Sequence, residues 1–552
     1  MKLTGAQIIV ETLIEQGVTD VFGYPGGQVV NIYDALYEYS DRINHYLTAH
    51  EQGAAHAADG YARATGKTGV VIATSGPGAT NLVTGIATAH LDSVPMVAIT
   101  GNVPCNLIGK DSFQEIDITC ITLPITKHNY FVNDVEELAD SIREAFRIAR
   151  SGRPGPVLID VPKDIQMAEC EFERKPVEPC FEVNKLDTDK IKEAAALIRS
   201  SKRPYIYIGG GVLRSDAEAL VLELSEKADA FIGSSLMGLS AIPSDNERFL
   251  GMQGMHGRYA SSMAQKEADL IIAVGVRFSD RATGNKAKYV HGARIIQLDV
   301  DFSEFNKNVD VDVAINADLK ESLCALINQC EQKDNADWRN RIKELREKEK
   351  SLEKKFDRLT PKAILDIMNE NTEDDTVIAT DVGQHQMWTA QEYRFRKPRT
   401  LVSSGGLGTM GFGLGAAIGA NVGTGNRVVL VTGDGSFGMN LNELATAVTY
   451  NIPITVVLLD NGVLGMVRQW QTLFFDKHYS STTLKRKTDF SLLAKAFGAK
   501  GVAVDSEEAF REAFKASMAE SGPFVIDCKI DCDEFVLPML PPGGSVDDMI
   551  VE

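Results

Sequence analysis

The chain has 552 residues, 44% of them hydrophobic, which is enough for several packed cores and points to three or four domains. A net charge of −19 excludes nucleic acid and anionic membrane surfaces as partners, because such a surface is repelled by both. No apolar run approaches the roughly 20 residues needed to cross a bilayer, and eight scattered cysteines (105, 120, 170, 180, 324, 330, 528, 532) with no CxxC pair fit a reducing cytosol better than a disulfide framework or a zinc site.

The N-terminal stretch MKLTGAQIIVETLIEQG reads as a helix, with Thr4 and Gln7 as a capping box and Gly17 as the stop. No signal or transit peptide is expected ahead of it, and the expected location is cytoplasmic. Further on, TAHEQGAAHAADGYAR sets Glu51 at a helix start beside Gly53, Ala54, Ala55, Ala57 and Ala58, small residues that solvate a carboxylate poorly. Glu51 is either an ordinary surface residue or a functional acid.

From residue 70, VVIATSGPGATNLVTGIATAHLDSVPMVAIT reads as strand, glycine-rich turn, helix, proline, strand. A middle region has strand-like runs at 205–208, 270–274 and 294–300, with a Gly209-Gly210-Gly211 turn after the first but no GxGxxG. Connectors near 166–188 and 331–360 flank it, and EKEKSLEKKFDR in the second reads as an exposed, solvated helix. From residue 428, VVLVTGDGSFGMNLNELATAVTYNIPITVVLLD nearly repeats the first motif: Pro95 lies 17 residues after Gly78, and Pro453 lies 18 after Gly435. The expected fold class is therefore α/β, with two similar outer domains (1–165 and 361–552), a middle domain (188–330) and a charged helical linker (331–360), each domain built on a parallel sheet.

The second repeat carries the chemistry. Its strand at 428–432 runs into Gly433-Asp434-Gly435-Ser436. Asn440 and Glu443 have capping-box spacing, and Leu441, Leu444, Ala445 and Val448 recur at helical spacing. Pro453 then restarts the chain as a strand ending in Asp460-Asn461-Gly462. A right-handed crossover brings both strand ends to one sheet edge. There the glycines let backbone N–H groups approach phosphate, while the Asp434 carboxylate and Asn461 amide oxygen offer a hard cation its preferred ligands. GDG alone is a common strand ending; the second strand end is what points to a magnesium-clamped diphosphate.

GDG followed by Asn at this spacing resembles the thiamine-diphosphate signature, which implies magnesium held by Asp434, Asn461 and the carbonyl of Val463. Asp460 stands where that family usually has a first Asn. The strings GYPGG (23–27), AHEQGAAH (49–56), TSGPGATN (74–81), KDSFQE (110–115), GRPGPVLIDVPKD (152–164), GMHG (254–257), RFSDRATG (277–284), DVGQHQMW (381–388), SSGGLGTMGFGLGAAIGA (403–420) and GMVRQWQ (465–471) resemble the catalytic subunits of acetohydroxyacid synthases, also called acetolactate synthases, over nearly the whole chain.

The resemblance implies a thiamine-diphosphate-binding fold and a carboligase. Pyruvate is decarboxylated and joined to a second 2-oxo acid, pyruvate or 2-oxobutyrate, giving precursors of valine, leucine and isoleucine. It places Glu51 at the aminopyrimidine and Met410 beneath the cofactor, where Met410 can equally be core packing. Val382, Gly383, Gln384, His385, Gly408, Gly433, Gly435, Ser436 and Met466 surround the cofactor, with His385 a hydrogen-bond donor to diphosphate. Phe113, Gln114 and Lys163 line the substrate channel, and Trp470 and Arg281 meet the substrate. For FAD it implies Arg153, Gly209, Gly210, Gly211, Ser235, Leu236, Met255, His256, Gly275, Arg277, Arg281 and Asp299, with Ser279 departing from the usual RFDDR. Presence of RFxDR favours the biosynthetic type, which works with a small regulatory subunit. Because the two cofactor halves bind different repeats, the site is expected between the subunits of a homodimer or homotetramer. Two other readings stand beside the carboligase: a pyruvate oxidase with a working flavin, and a non-catalytic scaffold that intact Glu51, Asp434 and Asn461 argue against.

Overall fold

The computed structural model describes residues 1–181, 183–290, 292–353 and 356–552. Three six-stranded, all-parallel sheets follow one another along the chain. Numbered in chain order within each sheet, the first and third both run 2-1-3-4-6-5, while the middle sheet runs 3-2-1-4-5-6. The repeat seen in the sequence is thus a repeat of topology. In each sheet the strand order reverses beside its first strand, and ligands of open α/β sheets bind at the carboxyl ends there.

The strand Val428–Gly433 is buried along nearly its whole length, as a parallel strand covered by helices on both faces should be. The N-terminal helix Gly5–Glu15 carries its capping box on Thr4 and Gln7, and Gly17 takes φ +80 just beyond it. The middle strands are Pro204–Ile208, Leu270–Val274 and Arg294–Leu298, the last ending two residues before its expected end.

Four segments differ from their sequence expectations. The helix after Gly433 begins at once as Asp434–Asn440, passes through a tight turn and resumes at Leu444–Thr449. Asn440 does not cap it: its amide donates to the Gly411 carbonyl (3.2 Å), and Glu443 reaches across to the first repeat. The charged run EKEKSLEKKFDR of the connector is mostly exposed, as expected, but the helical turns just before it bury one face. The connector's helix Ala336–Ser351 buries Trp338, Ile342 and Leu345 against the middle sheet and pairs Arg341 with Glu267 (2.7 Å), because an apolar stripe runs between its charges. Lys354 and Lys355 of that connector lie outside the described residues. The first unit runs past 165, since Glu169–Glu171 pairs antiparallel with the N-terminal strand Lys2–Thr4 and Phe172 is buried in its core.

The small residues after Glu51 have a different role from the one expected. Helix Glu51–Thr65 lies against helix Gly413–Thr424 of the third unit with backbones in contact: a Cβ on Gly60 would fall 2.1 Å from the Ala416 carbonyl oxygen, and one on Gly419 would fall 1.8 Å from that of Ala57. Only glycine permits this approach. Those small side chains join first and third units rather than line Glu51. Among the described residues, no helix is long and apolar enough to cross a membrane.

Candidate active site

At the carboxyl edge of the third sheet, Val428–Gly433 and Ile454–Asp460 are adjacent parallel strands, with Gly433 opposite Leu459. Asp434 therefore emerges one strand away from Asp460 and Asn461. The Asp434 and Asp460 carboxyls lie within hydrogen-bonding reach, and burial, then Asp460, push Asp434 above the ordinary carboxylate range. A divalent cation between them reverses that effect by stabilising both anions. Asn461 donates its Nδ2 to Gln384 Oε1 (3.4 Å) and accepts from the Val463 N–H (3.1 Å), so its amide orientation is set. This set of oxygens suits magnesium. Asp460 faces Asp434. It is balanced behind by Lys529, which is paired with it across the strands and with Asp527 at 2.8 Å.

Beside this edge, Val382 and Gly383 lie in the turn between the sheet's first strand, Val377–Thr380, and the helix Gln384–Glu392. Gly383 has φ +151, and a Cβ there would meet the His385 ring at 3.0 Å. His385 Nε2 is buried without a hydrogen-bond partner, and burial lowers the imidazole to about 3, keeping it neutral. In the tautomer with its one proton on Nε2, this neutral imidazole, beside the glycines at 383, 433 and 435, can donate to a diphosphate oxygen. Ser436 Oγ donates to the Val382 carbonyl (2.8 Å), locking the GDG helix to that turn. Met410 lies within 3.7 Å of where a Gly435 Cβ would sit.

The expected pyrimidine and substrate residues gather at the edge of the first sheet. Glu51 is half-buried in the first turn of its helix, where the positive end of the helix dipole favours its charge. Its Oε2 accepts from Asn81 Nδ2 (3.0 Å). Gln114 sits at φ +61 with its Cα 3.0 Å from where a Gly76 Cβ would lie, and Lys163 Nζ donates to the Gly27 carbonyl (3.0 Å). Phe113 is 84% exposed. None of Glu51, Phe113, Gln114 and Lys163 lines the large cavity described next.

That cavity, of about 1880 Å³, is lined by residues of all three units. Every residue that the resemblance implies for FAD lines it, along with Val382, Gly383, Gly408, Met466 and Trp470. His256 Nδ1 is buried there without a partner, and burial raises Asp299 to about 6. Arg153 is committed to protein contacts: its Nη1 pairs with Glu304 (2.8 Å) and its Nε donates to Ser93 (2.8 Å). Trp470 meets Phe474 edge-on at 5.8 Å, leaving its remaining surface to the cavity.

Three site residues escaped the sequence reading. Asp381 is fully buried, accepts from the N–H groups of Gly411 (2.7 Å) and Gly413 (3.3 Å), and so shapes the turn that carries Met410. Glu443 accepts from the Ala49 N–H (3.1 Å) two residues before Glu51. Asn81 holds Glu51. All three lie inside or beside the quoted strings, but only contact across the fold distinguishes them from their neighbours.

Family models match the three units in turn: the N-terminal TPP binding domain of thiamine pyrophosphate enzymes at residues 3–121, their central domain at 191–326 and their C-terminal TPP binding domain at 381–528. The probable acetolactate synthase large subunit of Methanocaldococcus jannaschii is 44% identical over 99% of this chain and 95% of its own length. The acetolactate synthase isozyme 2 large subunit of Escherichia coli is 44% identical over 99% of each chain, and the acetolactate synthase large subunit of Porphyra purpurea is 43% identical over 99% of this chain and 95% of its own.

Proposed function

The chain belongs to the thiamine pyrophosphate enzymes, and on that premise we propose that it is the catalytic large subunit of an acetolactate synthase. It is a thiamine-diphosphate-dependent carboligase. Pyruvate is the donor, and a second pyruvate or 2-oxobutyrate is the acceptor, giving 2-acetolactate or 2-aceto-2-hydroxybutyrate on the way to the branched-chain amino acids. What carries this reading is likeness over the full length with Glu51, Asp434 and Asn461 all in place.

Thiamine diphosphate, when bound, supplies the electron sink that lets a 2-oxo acid lose carbon dioxide and join a second one. The protein's own groups bind, orient and move protons. Asp434 and Asn461 would hold magnesium, with the Val463 carbonyl beside them, and His385 and the backbone at 383, 433 and 435 would receive the diphosphate. Met410 gives the cofactor an adaptable apolar rest. Glu51, fixed through one oxygen by Asn81, keeps the other free to hold a proton at the aminopyrimidine. FAD would occupy the cavity beside the middle sheet, where buried His256 Nδ1 still needs a partner.

A second copy of the chain completes the site. Phe113 on the first unit and Met439 (63% exposed) on the GDG helix present apolar surface beside the two half-sites, as an uncovered homodimer face does. The large-subunit names of the relatives support a small regulatory partner as well. Purified protein supplied with pyruvate, thiamine diphosphate and magnesium should release acetolactate, read as acetoin after acid treatment. Acetate with reduced flavin as the product would overturn the assignment in favour of an oxidase. Co-expressing Glu51→Gln with Asp434→Ala chains tests the shared site: half the dimers are mixed and each of those keeps one intact site, so about a quarter of wild-type activity should return. No return would place both residues in one chain's site.

A further inference from the structure

All three units meet at one buried ion cluster that the catalytic reading leaves unused. Asp92, at the end of helix Val83–Leu91, has a fully buried carboxylate. Its Oδ2 accepts from Arg63 Nη2 (3.0 Å) and from the Gly405 N–H (3.0 Å), and its Oδ1 accepts from the Gly406 N–H (2.7 Å). Arg63 is held in turn by Asp59 and donates Nη1 to the Ser403 carbonyl (2.8 Å). The cluster thus grips the loop leading to Gly408 and Met410 at three backbone positions, 403, 405 and 406. Breaking a buried, charge-assisted contact of this kind leaves the partner charge uncompensated.

The middle unit enters through Arg214, whose guanidinium donates to the Asp92 carbonyl. Arg214 ends the helix Gly210–Arg214, which begins in the glycine turn of the large cavity, and like Asp92, Gly405 and Gly406 it lines that cavity itself. A second contact runs in parallel: Gly405 lies so close to Met237 that a Cβ on it would fall 2.4 Å from Sδ, and Met237 follows the cavity residue Leu236. The loop of the thiamine half and the glycine turn of the flavin half therefore share one rigid joint.

We infer that Asp92 is a positioning residue for the 404–410 loop and that Arg214 couples this loop to the 209–211 turn, so that filling the flavin half and filling the thiamine half of the site favour one another. The inference rests on the flavin reading given above. It gives a cofactor with no redox step a physical effect on the reaction, since ordering the turn orders the loop beneath the thiamine cofactor.

Coupling between two binding sites is reciprocal. In wild-type protein with magnesium, FAD should tighten thiamine diphosphate, read by quenching of protein fluorescence, by about tenfold, and thiamine diphosphate should tighten FAD, read by flavin fluorescence, by the same factor. Because Arg214 lines the cavity, Arg214→Met can weaken FAD directly, so the readout is the factor itself, the ratio of each affinity with and without the other ligand: it should fall to about one, and Arg214→Lys, which keeps the charge, should restore part of it. Asp92→Asn should weaken thiamine diphosphate in the presence of FAD more than in its absence. Should Arg214→Met fail to fold, as judged by circular dichroism, a factor in Arg214→Lys equal to the wild-type value overturns the proposal. So does wild-type protein that binds both ligands independently, or an undiminished factor in Arg214→Met. Failure of wild-type protein to bind FAD at all refutes the flavin reading itself, and the coupling with it.

Discussion

Glu51→Gln separates the chemistry of Glu51 from its structural role. Glutamine keeps the shape and an acceptor oxygen for Asn81 Nδ2, so the 3.0 Å contact survives as a neutral hydrogen bond. A hydrogen bond to a charged group is worth ~1.5 to 3 kcal/mol and a neutral one ~0.5 to 1.5, so folding should lose only about 1 kcal/mol. Catalysis loses far more, because an amide cannot exchange a proton with the aminopyrimidine, and acid–base assistance of this kind is worth ~10²- to 10⁴-fold. The assay pairs acetolactate formation with thermal melting and a thiamine diphosphate titration by fluorescence quenching. The expected variant melts close to wild type, still binds cofactor and turns over at least a hundredfold more slowly. Activity within about threefold of wild type would refute the role given to Glu51, whereas a large drop in melting temperature would show that it mainly anchors its helix.

Asp434→Ala removes a charged ligand while Asp460 remains facing the diphosphate, so thiamine diphosphate affinity should fall steeply and recover partly at high magnesium; an unchanged titration would place the metal elsewhere. Chelating magnesium from wild-type protein should reproduce the same loss. Burial raises Asp381 from the ordinary 3.8 to about 6, so its contribution to stability is fully present below pH 3.8 and is lost as pH rises through about 6; Asp381→Asn should flatten the pH dependence of melting across that window, and an unaltered profile would contradict it. Trp470 faces the cavity, and one methylene against such a surface is worth roughly 10- to 200-fold, so wild type should favour 2-oxobutyrate over pyruvate as acceptor and Trp470→Leu should erase most of that preference in a competition read by product ratio.

Local chemistry determined much of this protein before any fold was known. Glycines at 433 and 435, an Asp between them and an Asn at the next strand end point to a metal–diphosphate edge, because strand, crossover and strand leave little choice of geometry. The two repeats were legible for the same reason, and their shared strand order follows from shared periodicity. What only the tertiary structure decided are the contacts between units. The alanines and glycines after Glu51 look like a pocket lining in the sequence, yet they form a helix–helix seam, since small residues serve both purposes and only the partner helix distinguishes them. The charges of EKEKSLEKKFDR read as exposed and are mostly so, whereas the packing of Trp338, Ile342 and Leu345 just ahead of them follows only because the middle sheet has a face left to cover. Asp92 and Asp381 carry no local signature, and the capping-box spacing of Glu443 pointed to a different role. A buried carboxylate is defined by the N–H groups that reach it, and those come from segments some 30 to 400 residues away that the fold alone brings together.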